Sequence, residues 1–107
     1  MSTEKIRALN DAFRTTMTGG KVLLTAGVDA LPSDVKAMVI RRVATFSDFN
    51  ADNDPHGEHD FGSIAIAGHK LFWKIEYYDA AVQFGSEDPA DPEETTRVLT
   101  IMLASEY

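Results

Sequence analysis

Apolar positions along the chain fall into two periodic patterns separated by aperiodic stretches. Between residues 3 and 17, Ile6, Leu9, Phe13 and Met17 recur three and four apart, which places them on one face of a helix. Ser2 or Thr3 can cap its first turn, Glu4 suits the positive helix end, and Gly19-Gly20 supplies a stop. A second helix is predicted over 34–47, with Ser33 as N-cap and Asp34 in the first turn. Its apolar face carries Val35, Met38, Val39, Val43 and Phe46, and Lys36, Arg41 and Arg42 take the other faces. The intervening KVLLTAGV (21–28) is apolar and β-branched but too short for a helix, so it reads as a strand.

Alternation is clearest further on. SIAIA (63–67) and KLFWKIEYY (70–78) flank Gly68-His69, a dipeptide suited to a two-residue hairpin turn with glycine first. Counting outwards, Ala67 faces Lys70, Ile66 faces Leu71, Ala65 faces Phe72 and Ile64 faces Trp73. Ile64, Ile66, Leu71, Trp73, Ile75 and Tyr77 then share a core face, leaving Ser63, Ala65, Phe72, Lys74, Glu76 and Tyr78 on the other. Towards the end, Asp91 as N-cap, Pro92 at the first helical position and Glu94 make a capping-box-like start. A third helix is therefore predicted from Pro92 to about Ser105, with Val98, Leu99, Met102 and Leu103 inward, although RVLTIML (97–103) also alternates as a strand. The expected fold is α+β: a single small domain over 1–107, in the order α-β-α-β-β-α, with helices packed on one face of a small, mainly antiparallel sheet.

The length of 107 residues leaves no room for a second domain, and 44% hydrophobic with 25% charged residues argues against global disorder. No apolar run approaches the ~20 residues of a membrane helix. The first residues, MSTEKIRALNDAF, lack the apolar stretch of a secretory signal. Without cysteine there is no disulfide, thiol nucleophile or thiolate metal site. Together these features point to the cytosol.

Charge sharpens the picture. Seventeen acidic and ten basic residues give a net charge of −7. Residues 1–47 sum to +3 (seven basic, four acidic), residues 48–94 to −10 (two basic, twelve acidic), and 95–107 to zero. The block begins in an aperiodic loop over 48–62 and resumes in GSEDPADP (85–92). Such a balance argues against direct nucleic-acid binding, which needs a cationic stripe, and suits a protein partner with a basic surface.

The densest chemistry lies in Asp52-Asn53-Asp54-Pro55-His56-Gly57-Glu58-His59-Asp60. Its carboxylates suit Ca²⁺, Mg²⁺ or Mn²⁺, and His56 and His59 add nitrogens for Zn²⁺ or Mn²⁺. Against a calcium-loop pattern Asp52, Asp54 and Gly57 match, but His56 stands where Asp or Asn belongs and Ser63 where a bidentate Glu should close the shell. The plainer reading is that these side chains cap turns and bond loop amides. No G-x-S-x-G, Walker or dinucleotide pattern occurs. Of the hairpin aromatics, Trp73 and Tyr77 fall on the core face, while Phe72 and Tyr78 are placed for a protein contact.

The segments NDPHGEHDFGS (53–63), FWKIEYYD (72–79), GSEDPADP and TTRVLTIMLASEY (95–107), with LNDAFR and LLTAGV near the start, resemble a family of small bacterial proteins known only as a domain of unknown function. The resemblance covers nearly the whole chain and carries over no catalytic residues. Genes of this kind often travel with plasmids and phages, which implies a modulator of host or competitor machinery sooner than a metabolic enzyme. The reading with most support is a non-enzymatic, acidic interaction protein, in one concrete form an inhibitor of a host defence system of the anti-CRISPR or anti-restriction type. Its partner contacts would come from Asp52, Asp54, Glu58, Asp60, Phe72, Tyr78, Glu87, Asp88, Asp91, Glu93 and Glu94, with no catalytic residue and no cofactor. The alternative is a metal-binding domain or metal-dependent hydrolase in which Asp52, Asp54, His56, Glu58, His59 and Asp60 hold a divalent ion. Self-association through the hairpin face or an edge strand is a third.

Overall fold

The first helix, α1 (Ser2–Thr16), forms where the three-and-four spacing requires it, in a computed structural model that describes residues 2–107. Met1, the first residue of the expected domain, lies outside the described residues. The helix buries a stripe rotated slightly from the apolar one: Ile6, Asn10, Phe13 and Arg14 face inward and Leu9 is only half-buried. Two polar groups thus enter the interior, and both find partners there (below). The left-handed step that ends α1 is taken by Met17 (φ 56°) before Gly19, so the glycine pair is not the first stop. Gly20 serves a close approach, since a Cβ there would run into the Phe13 ring and the Arg97 carbonyl.

The predicted strand 21–28 divides into β1 (Lys21–Leu24) and a one-turn helix, α2 (Ala26–Asp29), that buries Val28. Glu106 holds this junction: its carboxylate accepts from the Thr25 hydroxyl (2.6 Å) and from the amides of Gly27 and Leu103 (2.9 Å each). Those donors, the Thr25 hydroxyl foremost, keep its carboxyl below the usual range. α3 (Ser33–Ala44) is the second predicted helix, shorter at its end than 34–47. Ser33 lies inside it, and Pro32, which offers no side-chain cap, occupies the N-cap position. Val39 and Val43 are fully buried, whereas Met38 is half exposed.

The sheet order is β1-β4-β3-β2, with β2 (Phe61–Ile66), β3 (His69–Tyr78) and β4 (Thr96–Leu103). β4 replaces the predicted third helix and lies in the middle of the sheet, antiparallel to β3 and parallel to β1. The fold class is α+β, but the last major element is a strand, followed by a 3₁₀ turn at Ala104–Glu106. The ambiguity of RVLTIML has a physical origin. Val98 and Met102 are buried on one face and Leu99 and Ile101 on the other, so the strand carries a nearly continuous apolar run that fits either period. The capping-box residues do cap, but a turn and not a helix: the Glu93 amide donates to Asp91 Oδ1 at 2.9 Å.

The hairpin turns at Ala67-Gly68, one residue earlier than expected. Both residues have positive φ (52° and 81°), which fits a two-residue hairpin turn of type I′. Ile66 pairs with His69, Ile64 with Leu71 and Gly62 with Trp73. The shift answers the bulk of the indole, which lies over Gly62, where any Cβ would collide with it. Because the change of register is by two, the expected faces survive. Ile64, Ile66, Leu71, Trp73 and Ile75 join Leu99, Ile101, Phe13, Val28, Val39 and Val43 in one core between the sheet and the helices. No helix among the described residues is long and apolar enough to cross a membrane.

Candidate functional site

Two acidic segments carry the expected site residues, and they behave differently. The segment 48–60 is folded on its own side chains first. Asn50 Oδ1 accepts from the amides of Asp52 (2.9 Å) and Asn53 (3.1 Å), and Asn53 Nδ2 donates to the Asp48 carbonyl (2.8 Å). It is then bolted to α1. Arg7 donates to the Gly57 carbonyl (3.0 Å), and Asn10 Nδ2 to the Glu58 carbonyl (2.9 Å) and the Tyr77 hydroxyl (2.8 Å). Tyr77 in turn donates to Glu58 Oε1 (2.7 Å), and Arg97 Nε to Asn10 Oδ1 (2.7 Å). Asn10 and Arg97 are buried, so this is an interior network in which the amide joins a loop, a helix and two strands. Burial, with the Glu58 charge beside it, pushes the Tyr77 hydroxyl far above its ordinary value, so it remains a donor. The Arg97 guanidinium is lowered by burial and stays cationic within reach of Glu58 and the Tyr77 ring.

His59 is held just as firmly. Its ring stacks on Phe49 at 3.7 Å and 2°, and Nδ1 donates to Asp11 at 2.9 Å. Asp54, whose side chain is nearly buried, accepts from the His59 amide (3.1 Å), and its second oxygen lies 3.6 Å from His59 Nε2. His59 adopts φ 56°, a left-handed conformation that the Asp54 bond and the stack stabilise together. Arg14 completes the scaffold: Nη1 caps the end of α3 on the carbonyls of Val43 (2.8 Å), Ala44 (3.2 Å) and Phe46 (3.0 Å), and Nη2 pairs with Asp11.

The metal-ligand set expected over 52–60 is not brought together. Glu58 turns to Tyr77, His59 to Asp11 and Asp54, while Asp52 and His56 stay in solvent. Asp60 is half-buried, and its carboxyl is pushed up, chiefly by burial and then by the neighbouring Glu58 charge. Of the partner contacts expected here, only Asp52 presents an exposed carboxylate.

The lobe 79–95 is the reverse case. Its frame uses backbone, hydroxyls and the short Asp side chains, which bond amides of the lobe itself. Tyr78 bridges Gly85, Asp79 Oδ1 accepts from the Gln83 amide (2.9 Å), Ser86 Oγ meets Thr95 Oγ1 (2.7 Å), and Thr95 donates to the Asp88 carbonyl (2.8 Å). Arg97 anchors it from below through the Pro89 carbonyl. The side chains of Glu87, Glu93 and Glu94 are thereby left outside, and Asp88, Asp91 and Glu94 bring carboxylate oxygens within 4.8 Å of one another. Residues 79–94 hold six carboxylates and no Lys or Arg. A groove of about 450 Å³ runs between Asp79, Ala80, Phe84, Gly85, Glu87, Glu93 and Glu94. Phe84 is 72% exposed, an unusual position for a phenyl ring. Asp79 lies between the two acidic stretches that charge picks out, and Phe84 escapes a sequence reading centred on charge, although a lone aromatic inside a polar, aperiodic stretch is a visible signal. Tyr78 adjoins this lobe. Phe72, six strand residues or roughly 20 Å away, belongs instead to a cluster with Phe61 and Tyr107 on the open sheet face.

Fold and surface together define a small α+β domain with one outward acidic lobe and one internally braced acidic loop. The chain belongs to a family described as Protein of unknown function (DUF3768), whose model matches residues 24–106, which excludes the LNDAFR segment of α1. Comparisons with curated proteins and with solved structures find no match.

Proposed function

We propose that this protein is a non-enzymatic interaction module of the cytosol that uses the 79–94 lobe to engage a cationic surface on a protein partner. The observation that carries the reading is the groove: four carboxylates, from Asp79, Glu87, Glu93 and Glu94, surround an exposed Phe84 ring with no basic residue in the lobe. Clustered like charges repel, and they persist here because water and salt screen them over about 8–10 Å. A guanidinium or ammonium group entering the groove relieves that repulsion and meets the ring face, a contact worth about 0.5–1 kcal/mol at an exposed site.

Surfaces rich in Arg and Lys are those that bind nucleic acid, and a carboxylate array occupies them in place of phosphates. The concrete form of the proposal is a mobile-element product that blocks a host defence nuclease of the CRISPR or restriction type, without touching nucleic acid itself. The test is phage plating on cells carrying a defined CRISPR or restriction system. Expression of the wild-type protein raises plating efficiency, and a variant with Glu87, Glu93 and Glu94 all replaced by Gln does not. Equal protection by the folded triple variant would overturn the lobe as the contact surface. A purified complex should also weaken steeply with salt through slower association.

A further inference from the structure

We propose that the protein forms a two-fold dimer by antiparallel pairing of β2 with β2 of a second copy, centred on Ser63. β2 is a terminal strand of the sheet, and the Ile75 amide donates to the Asp60 carbonyl at 2.8 Å. That bond sets the phase of the ladder. Residues 60, 62, 64 and 66 point their backbone groups at β3, and Phe61, Ser63 and Ala65 point theirs outward. Three residues thus expose a donor and an acceptor each, symmetrically about Ser63. Antiparallel pairing on an axis there matches 61 with 65, 63 with 63 and 65 with 61, and forms six hydrogen bonds. Any other register within the strand forms fewer.

Edge strands are usually guarded by charge, proline, bulges or shortness. β1, the opposite edge, is short at four residues, begins with Lys21 and runs directly into α2. β2 (FGSIAI) has no charged residue and no proline, and Ser63 and Ala65 are small and exposed, so a second strand can approach to the ~4.8 Å of sheet pairing. Beside it runs a groove of about 380 Å³ between Ser63, Ala65 and the end of α3, lined also by Arg42, Phe46 and Asp48. One charge of each sign beside an apolar ring is the composition of a self-complementary patch, which favours a second copy over a foreign strand of single-signed charge.

Sedimentation equilibrium of the full chain, up to millimolar concentration, tests the proposal. The mass should rise with concentration from 11.8 kDa towards twice that value. Because each copy carries −7, added salt should tighten the dimer, the opposite of its effect on a complex made through the acidic lobe. Ser63→Pro removes an outward amide that β3 does not use, and Ser63→Lys sets two cations face to face across the axis. Both variants should stay at 11.8 kDa with unchanged far-ultraviolet circular dichroism. Persistence of the dimer in a folded Ser63→Lys variant would overturn the proposal. So would a wild type that remains monomeric at millimolar concentration, and the edge would then be left to a strand of another protein.

Discussion

The loop 48–60 and the lobe 79–95 have nearly the same sequence character: acidic, aperiodic, and punctuated by Asp, Pro and Gly. The difference between them lies in what faces them. The first lies against α1 and β3: Arg7 and Asn10 hold its carbonyls, the Tyr77 hydroxyl takes Glu58 and Asp11 takes His59, while Asp54 closes on the His59 amide, so these side chains turn inward and become structure. The second meets Arg97, which takes a backbone carbonyl; Asp79, Asp88 and Asp91 bond only amides of their own lobe, and Glu87, Glu93 and Glu94 are left outside. Whether an acidic residue is a brace or a recognition element is therefore decided by the donors across from it. Counting carboxylates does not reveal this.

The sharpest way to break the comparison is Asn10→Ala. It orphans the Arg97 Nε and the Glu58 carbonyl and removes the bond that the Tyr77 hydroxyl accepts, and should cost about 2–4 kcal/mol. In a domain of this size the thermal midpoint would fall by roughly ten degrees or more. An unchanged midpoint would mean that the loop is not held by α1. Next in size is His59→Asn, which keeps a residue tolerant of φ 56° but removes the ring from Phe49 and Asp11. A loss of about 1–2 kcal/mol in chemical denaturation is expected.

Asp60→Asn acts in the opposite direction. Its carboxyl is raised in the folded state, so ionised Asp60 opposes folding at neutral pH, and that cost fades as pH falls through the folded value. The variant should be more stable than the wild type at pH 7 by about 0.5 kcal/mol, the group being half exposed and screened. The two stability curves should meet near or below about pH 4, where the unfolded carboxyl is also protonated. A gain that persists in acid would assign the effect to something other than charge. Smallest is the replacement of Glu87, Glu93 and Glu94 by Gln, which should change stability by less than about 0.5 kcal/mol, with any gain lost in high salt. A large loss would make the lobe a brace after all, and the contrast with 48–60 would disappear.

The sequence by itself determined the local elements whose side chains keep a clean period: α1, α3 and the β2–β3 hairpin with its two faces. It also located both acidic segments, because composition is a local property. Four features needed the tertiary structure. β4 is a strand because it is enclosed between two others, with Val98 and Met102 covered on one side and Leu99 and Ile101 on the other, and that enclosure is not encoded in its own period. The turn sits at Ala67-Gly68 because Trp73 must pass over Gly62, a demand made from the opposite strand. Asn10 and Arg14 face inward because a loop about fifty residues away and the end of α3 present carbonyls that only buried donors can satisfy. Finally, the acidic segments diverge in role for the same reason. A side chain's direction is fixed by the partner that closes its hydrogen bonds, and those partners are distant in the chain until the fold brings them near.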